Sequence, residues 1–266
     1  MEYAISTWNF VRGTDSLSSF ISASIDMGFN AVSFTPVQLL SMDRKASTRL
    51  RDQLSETDLS ITLHADFTNT TEEIDRIIGV FGEKLRCISL DPRCRIDPAG
   101  EFFEPGTMLP LLEHLGRRSE LTGISFGLED FPIDGCALDR NAEALAGLLE
   151  CSFFGALIDL GHMNLRIYTI PHFAEKGIDG YISGVPVPIF EVHVHDNWGN
   201  SDLHMPPGKG NLDLRAAASA LRGRGFQGVS TIEIAPYRYG VDPGDQYESV
   251  AYGLCSWKDA LELYDG

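Results

Sequence analysis

Short apolar runs typical of buried β-strands alternate eight times with longer segments in which apolar residues recur at helical spacing. Several of the runs are apolar on both faces, as the strands of a parallel sheet covered by helices are. Eight strand–helix units predict an α/β protein that is a single (β/α)8 TIM barrel, with one domain over residues 1–266. The runs are Tyr3–Thr7, Ala31–Pro36, Ile61–Asp66, Cys87–Pro92, Gly123–Asp130, Phe154–His162, Phe190–Asn197 and Val229–Pro236.

An open, doubly wound sheet is the alternative architecture for such an alternation. It usually carries a glycine-rich turn directly after its first strand. The first run of this chain continues as TWNFVRG, which has no GxGxxG pattern. The closed barrel is therefore favoured, and no linker or low-complexity segment divides the sequence into smaller domains.

The acidic balance of the chain restricts its partners. Lys and Arg number 21 and Asp and Glu number 38, which gives a net charge of −17. Nucleic acids and anionic membranes are poor partners for such a charge, whereas a small neutral or metal-bridged substrate is compatible with it. The sequence leaves the oligomeric state open, a homo-oligomer included.

Cysteine usage and the amino terminus favour a cytoplasmic protein. The five cysteines are odd in number and lack CxxC spacing, which favours reduced thiols over a disulfide framework. The first residues, MEYAISTWNF, lack the pattern of a signal peptide, and no run of 18 apolar residues predicts a membrane span. We therefore expect no membrane partner.

Ionisable side chains occur repeatedly where the predicted strands end. In a TIM barrel these ends and the loops after them form one rim, which carries the active site. Converging carboxylates would repel each other there, and a divalent cation would neutralise them. Mixed oxygen and imidazole ligands suit Mn²⁺, Co²⁺, Zn²⁺ or Fe²⁺ better than Ca²⁺ or Mg²⁺. The residues are His64, Glu129, Asp159, His193, His195 and Glu233.

The long loop after the seventh predicted strand carries a further polar pair. Asp202 and His204 are two residues apart and are followed by Pro206, Pro207 and Gly208. An Asp-x-His pair in a rigid loop can present oxygen and nitrogen atoms to a second metal or to substrate hydroxyls. A surface turn with incidental polarity is the alternative interpretation.

Five motifs follow one another along the chain, and in this order and spacing the sequence resembles the xylose-isomerase-like TIM-barrel superfamily over essentially its full length. That group contains sugar phosphate isomerases and epimerases, dehydratases and the apurinic-site endonucleases. The motifs are Leu128-Glu129-Asp130, Ile158-Asp159-Leu160-Gly161-His162, Val192-His193-Val194-His195-Asp196-Asn197, Asp202-Leu203-His204 with Pro206-Pro207-Gly208-Lys209-Gly210, and Ile232-Glu233.

The resemblance implies a shared set of metal ligands made of Glu129, Asp159, His193 and Glu233. It implies that His162 contacts a substrate hydroxyl, as in the epimerases, or a second metal, as in the endonucleases. Both roles place His162 beside the four ligands.

Other positions match the endonuclease branch of the superfamily. Asp202 and His204 match a further metal-binding pair of those enzymes, and His64 matches their histidine on the third strand. On the fourth strand the endonucleases bind metal through a histidine, whereas this sequence has Ser89–Asp91. That departure and the acidic charge favour the isomerase branch.

The features together predict an enzyme, a divalent-metal-dependent isomerase or epimerase of a keto-sugar or related polyhydroxy carbonyl compound. Glu129 and Glu233 are the predicted catalytic pair: one removes a carbon-bound proton and the other returns it, through an enediolate that the metal stabilises. Trp198 could form an apolar wall for a sugar ring, and Arg238 could bind an anionic group of the substrate. Packing and a solvated loop arginine are the alternatives for these two.

Three other functions remain open at this point. A metal-dependent dehydratase shares the proton abstraction and then loses a hydroxyl group. A phosphoesterase or apurinic-endonuclease-like hydrolase would use two or three metals to activate water. A non-catalytic sugar-binding barrel is the third, which the intact ligand set disfavours.

Overall fold

Eight parallel strands close into a barrel in the computed structural model, which describes residues 1–9, 17–91, 96–97, 100–101, 105–130, 143–240 and 245–262. Neighbours in the barrel are neighbours in the sequence, and β1 closes against β8 with Ala4 paired to Thr231. The predicted (β/α)8 TIM barrel is confirmed. The strands are β1 Glu2–Ser6, β2 Ala31–Phe34, β3 Ser60–Asp66, β4 Leu85–Asp91, β5 Ser125–Asp130, β6 Phe154–Asp159, β7 Ile189–Val194 and β8 Val229–Ile232.

Helices follow the strands and cover the outside of the barrel. A short antiparallel pair, Ile96–Asp97 with Gly100–Glu101, lies after β4. None of the helices in the described part of the chain is both long and apolar enough to cross a membrane. The described α-helices are α1 Leu17–Asp26, α2 Pro36–Leu40, α3 Arg44–Ser55, α4 Thr71–Phe81, α5 Pro105–Thr122, α6 Ala146–Leu149, α7 Leu160–Thr169, α8 Pro171–Gly184, α9 Leu214–Gly223 and α10 Gln246–Glu262.

Local sequence explains both the start and the packing of helix α4. Thr70 caps it, since its hydroxyl accepts the Glu73 backbone N–H while the Glu73 carboxylate accepts the N–H of Thr70. Ile74, Ile77 and Phe81 then recur at helical spacing and are buried against the barrel. The same division between an apolar inner face and a polar outer face holds the helical layer on the sheet.

Five of the described strands end before the predicted runs do, and three of these differences concern candidate site residues. β6 ends at Asp159, whose carboxylate accepts the backbone N–H of His162 at 2.8 Å and so caps α7. His162 therefore lies in the first turn of a helix rather than on a strand. His195 and Glu233 likewise lie just beyond β7 and β8. Pro92, the predicted end of the fourth run, is outside the described residues.

Candidate metal centre

Four of the predicted ligands meet at the carboxyl-terminal mouth of the barrel, and we call them the first cluster: Glu129, Asp159, His193 and Glu233. Parallel pairing of β6 with β7 sets Asp159 directly beside His193. One ligand atom each of Glu129, Asp159 and His193 lies within 4.8 Å of the others. His193 Nδ1 lies 3.0 Å from Glu233 Oε2 and 3.9 Å from Asp159 Oδ2.

The first cluster fits a divalent metal ion. All four side chains are buried. Within the described residues, Asp159 Oδ2 and the ring nitrogens of His193 contact ionisable groups at 3.0–3.9 Å, but none of these contacts has hydrogen-bond geometry. Buried polar atoms are nearly always hydrogen-bonded, so these atoms call for a missing partner. Three carboxylates and one imidazole that converge in this way are a ligand set for a divalent transition ion.

The two glutamates of the first cluster differ in protonation. Burial raises the pKa of Glu129 well above its ordinary value, and the nearby carboxylate of Asp91 adds to that shift. Burial also acts to raise the pKa of Glu233, but the imidazole of His193 outweighs it and holds this pKa below its ordinary value. In the metal-free protein Glu129 therefore holds a proton more tightly than Glu233 does.

Asp159 links the first cluster to a group of histidines beside it. Its Oδ1 lies 2.8 Å from His195 Nε2 and its Oδ2 lies 3.2 Å from His162 Nδ1. These imidazoles outweigh the effect of burial and lower the pKa of Asp159. In return, burial acts to lower the pKa of His162, but the charge of Asp159 overcomes it and raises that pKa to about 9.

A second cluster contains His162, His195, Asp202 and His204, with one ligand atom from each within 4.8 Å. Asp202 Oδ1 lies 3.0 Å from His204 Nε2 and 3.5 Å from His162 Nε2. Burial and the neighbouring His195 lower the pKa of His204 to about 4, so its imidazole is neutral and can act as a ligand at neutral pH. The structure thus brings Asp202 and His204 to the barrel mouth, beside the first cluster.

Two features of the second cluster show how closely its histidines are placed. The rings of His195 and His204 stack with centroids 3.6 Å apart and planes at 9°. Gly161 makes room for His195, because a Cβ at this position would lie 2.0 Å from the His195 ring.

His204 itself has φ +48°, a left-handed conformation that is strained for a residue other than glycine and that concentrates at functional sites.

A third group of ligand atoms consists of His64, Asp91 and Glu129. His64 Nε2 lies 3.4 Å from Glu129 Oε2, while His64 Nδ1 lies 3.1 Å from the Ser89 hydroxyl. The sequence pattern did not identify Asp91 as a candidate ligand, because it lies where the endonucleases have a metal-binding histidine. Its position as the last residue of β4 was the available signal, since each ligand of the first cluster also lies at or near the end of its strand.

The two candidate substrate residues lie in different surroundings. Arg238 is engaged within the protein, with Nη1 2.5 Å from Asp202 Oδ2 and its guanidinium over the Trp8 ring at 4.9 Å. It supports the second cluster from outside. Trp198 lies in the loop after β7, where it is 52% exposed.

Asp196 holds the loop that carries Asp202 and His204, a role that the sequence did not reveal. Its buried carboxylate accepts four backbone N–H groups, from Asn197 and Leu212 on Oδ1 and from Gly208 and Gly210 on Oδ2, at 2.8–3.0 Å. A backbone pair with Met205 adds two further hydrogen bonds at 2.8 Å. The carboxylate therefore fixes the loop on both sides of the second cluster.

Replacing Asp196 with Asn should loosen this loop, because the amide NH2 cannot accept two of the four N–H groups. Each unsatisfied buried donor costs about 1–3 kcal/mol. We expect a lower free energy of unfolding by urea and faster proteolysis between residues 198 and 211. Asp43→Asn is the control, since Asp43 is exposed and accepts only the Ala46 N–H, which Asn also accepts. Equal stability of both variants would contradict the role of Asp196.

Comparison with known sequences places this chain in a family. The family described as xylose isomerase-like TIM barrel matches residues 107–254, which is more than half of the chain. The uncharacterized protein MJ1311 of Methanocaldococcus jannaschii is 31% identical over 114 residues, which cover 42% of this chain and 37% of that protein. MJ1614 of the same organism, also uncharacterized, is 24% identical over 59% of this chain and 64% of its own length. The matches span less than two thirds of each relative.

Solved structures share the fold along nearly the whole chain. A D-tagatose 3-epimerase-like protein superposes with a TM-score of 0.64 at 18% identity, covering 100% of both chains. D-psicose 3-epimerase from Clostridium cellulolyticum, with D-tagatose, gives 0.66 at 13% identity over 98% of this chain and 100% of the other. The IOLI protein with a zinc atom gives 0.67 at 18% identity over 99% of both. With the barrel shared throughout and more than half of its sequence matched, the chain belongs to the xylose isomerase-like TIM barrel family.

Proposed function

We propose that the protein is a divalent-metal-dependent isomerase or epimerase of a keto-sugar or a related polyhydroxy carbonyl compound. The observation that carries this proposal is the convergence of two glutamates, Glu129 and Glu233, with Asp159 and His193 at the mouth of the barrel. In the metal-free protein the surroundings also displace the pKa values of the two glutamates in opposite directions. Environments that separate the pKa values of two carboxyl groups distinguish an acid from a base. The epimerases among the structural neighbours support the same reaction class.

The two glutamates have complementary roles in the proposed reaction. Glu233, held as a carboxylate by His193, removes the proton from the carbon beside the carbonyl. Glu129, the carboxyl group with the higher proton affinity, returns a proton to the opposite face of the same carbon or to the neighbouring carbon. The first outcome is epimerisation and the second is isomerisation. His162, in the first turn of α7, orients a substrate hydroxyl.

The metal-binding residues supply the remaining requirement, which is stabilisation of negative charge. Glu129, Asp159, His193 and Glu233 would hold a divalent ion, which would supply Lewis-acid stabilisation of negative charge on a substrate oxygen. The four side chains of the first cluster are buried, and electrostatic interactions are stronger in such surroundings than in water.

Solvent exchange at carbon tests the proposal directly. Protein loaded with Mn²⁺ or Co²⁺ is incubated in D2O with ketopentoses and ketohexoses, and the products are followed by NMR. We expect deuterium beside the carbonyl together with an epimer or an aldose. Loss of water from the substrate would identify the dehydratase instead. Absence of exchange with every sugar would overturn the proposed reaction class.

A metal-dependent phosphoesterase is the second candidate, and one specific observation favours it. Besides the first cluster, the described residues include the second cluster and the group of His64, Asp91 and Glu129. Sites with two or three metals activate water for phosphoester hydrolysis. The net charge of −17 disfavours a DNA substrate, so a small phosphodiester is the appropriate probe.

Metal content separates the two candidates. Hydrolysis of bis(4-nitrophenyl) phosphate that appears only when two or more ions are bound per chain would support the phosphoesterase. Sugar exchange that reaches its full rate with one ion per chain would support the isomerase or epimerase. Elemental analysis of the same samples gives the number of ions in each case.

A further inference from the structure

Strand β7 carries a buried acidic residue on the same face as a ligand of the first cluster. Glu191 precedes His193 by two residues, so both side chains point into the barrel. Glu191 is 1% exposed. Branched apolar side chains usually fill the interior of such a barrel, and a carboxyl group is expensive to bury there without partners. Its presence in this layer therefore needs a reason.

Hydroxyl groups from three other strands fix the position of this carboxyl group. Thr62 on β3 and Thr231 on β8 donate to Oε1 at 3.0 and 2.5 Å. Ser89 on β4 donates to Oε2 at 3.2 Å, and the thiol of Cys87 lies 3.5 Å from the same oxygen. The carboxyl group is thus held from several sides of the barrel, directly beneath the first cluster.

The two ring nitrogens of His193 lie between this carboxyl group and the first cluster. Nδ1 faces the first cluster and lies 3.0 Å from Glu233 Oε2, whereas Nε2 lies 3.8 Å from Glu191 Oε1. A metal-binding histidine usually donates its other N–H to a carboxylate or carbonyl, which fixes the tautomer and the ring orientation. Glu191 is the carboxyl group placed for that purpose.

We infer that Glu191 is a positioning residue of the first cluster, which accepts the Nε2–H of His193 and keeps the lone pair of Nδ1 directed at a metal ion. The 3.8 Å between Nε2 and Glu191 Oε1 is longer than a hydrogen bond, and the inference requires this distance to shorten when Nδ1 binds an ion. The inference rests on the proposed metal site, but it is independent of which substrate the protein converts.

The matched variants separate this role from a structural one. Glu191→Gln keeps the size of the side chain and removes the carboxylate. Thr62→Val removes one donor from the same hydrogen-bonded group and leaves the contact with His193 in place. Both are prepared metal-free, compared with wild type by thermal unfolding, and titrated with Co²⁺ by calorimetry and visible absorption.

We expect Glu191→Gln to weaken Co²⁺ binding at the first cluster by about 10–100-fold, the usual effect of removing such an outer partner. Thr62→Val should stay within about threefold of wild type, since the partner of His193 is retained. Unchanged affinity in Glu191→Gln would overturn the inference. An equal loss in both variants would also overturn it, because the group would then act only through packing.

A measurement on the wild-type protein keeps the inference testable if Glu191→Gln does not fold. In the zinc-loaded protein, NMR of ¹⁵N-labelled histidine should find His193 protonated on Nε2, with the Nδ1 resonance shifted by the metal. The opposite tautomer would overturn the inference. Metal binding with this tautomer but without sugar exchange would support it while contradicting the proposed reaction. A wild-type chain that binds no metal would overturn both.

Discussion

Glu233→Gln is expected to fold like the wild type and to lose about 10²–10⁴-fold in the rate of proton exchange between substrate and solvent. Gln has the shape of Glu but cannot take up a proton. The Glu233 carboxylate lies 3.0 Å from His193 Nδ1 and 3.4 Å from the Ser6 hydroxyl, and both contacts can be kept by an amide after rotation. The variant removes the base, and with it a carboxylate ligand of the first cluster and the charge beside His193, so stability and metal binding are measured alongside exchange.

The measurement is deuterium incorporation into a ketose by NMR, at metal concentrations that saturate both proteins. Rates are expressed per bound ion, so that weaker metal binding is not mistaken for loss of the base. Glu175→Gln is the control, because Glu175 is exposed on the outer helix α8. Exchange at the wild-type rate in metal-loaded Glu233→Gln would remove Glu233 from the mechanism.

The barrel and the first cluster could be predicted because both follow from regular patterns. Apolar runs identify the strands, and the topology of a parallel barrel brings every strand end to the same rim. Residues such as Asp159 and His193 could therefore be expected to converge although they are far apart in the sequence. The parallel pairing of β6 with β7, in which Asp159 is the partner of His193, is enough to bring these two side chains together.

The contacts made by loop residues could not be predicted, because hydrophobic periodicity gives no information about loop conformation. The ion pair of Arg238 with Asp202, and the stacking of His195 on His204, follow from a loop with a left-handed residue that is clamped by Asp196. Glu191 differs from these, since alternation along β7 places it on the same face as His193. That signal was present in the sequence, but a lone acid in an apolar strand is not informative until its partners are known.

Asp159→Asn is expected to lower the free energy of unfolding of the metal-free protein by about 2–3 kcal/mol near pH 6. Asn still caps α7, because its side-chain oxygen accepts the His162 N–H as Asp does. The variant thus removes only the charge that lies 2.8 Å from His195 Nε2 and 3.2 Å from His162 Nδ1. A protonated and partly buried His162 is then left without its nearest counter-charge.

The pH dependence of this loss has a definite sign. The pKa of His162 is raised to about 9 in the folded protein, above its ordinary value of 6.5, so its stabilising contribution is full below pH 6.5 and disappears as the pH rises through 9. The difference between Asp159→Asn and wild type should therefore be largest near pH 6 and small at pH 9.5, as measured by urea unfolding. Asp213→Asn, at the exposed cap of α9, should stay within about 0.5 kcal/mol of wild type at both pH values. If Asp159→Asn had the same free energy of unfolding as Asp213→Asn near pH 6, the ion pair of Asp159 with His162 would not stabilise the protein.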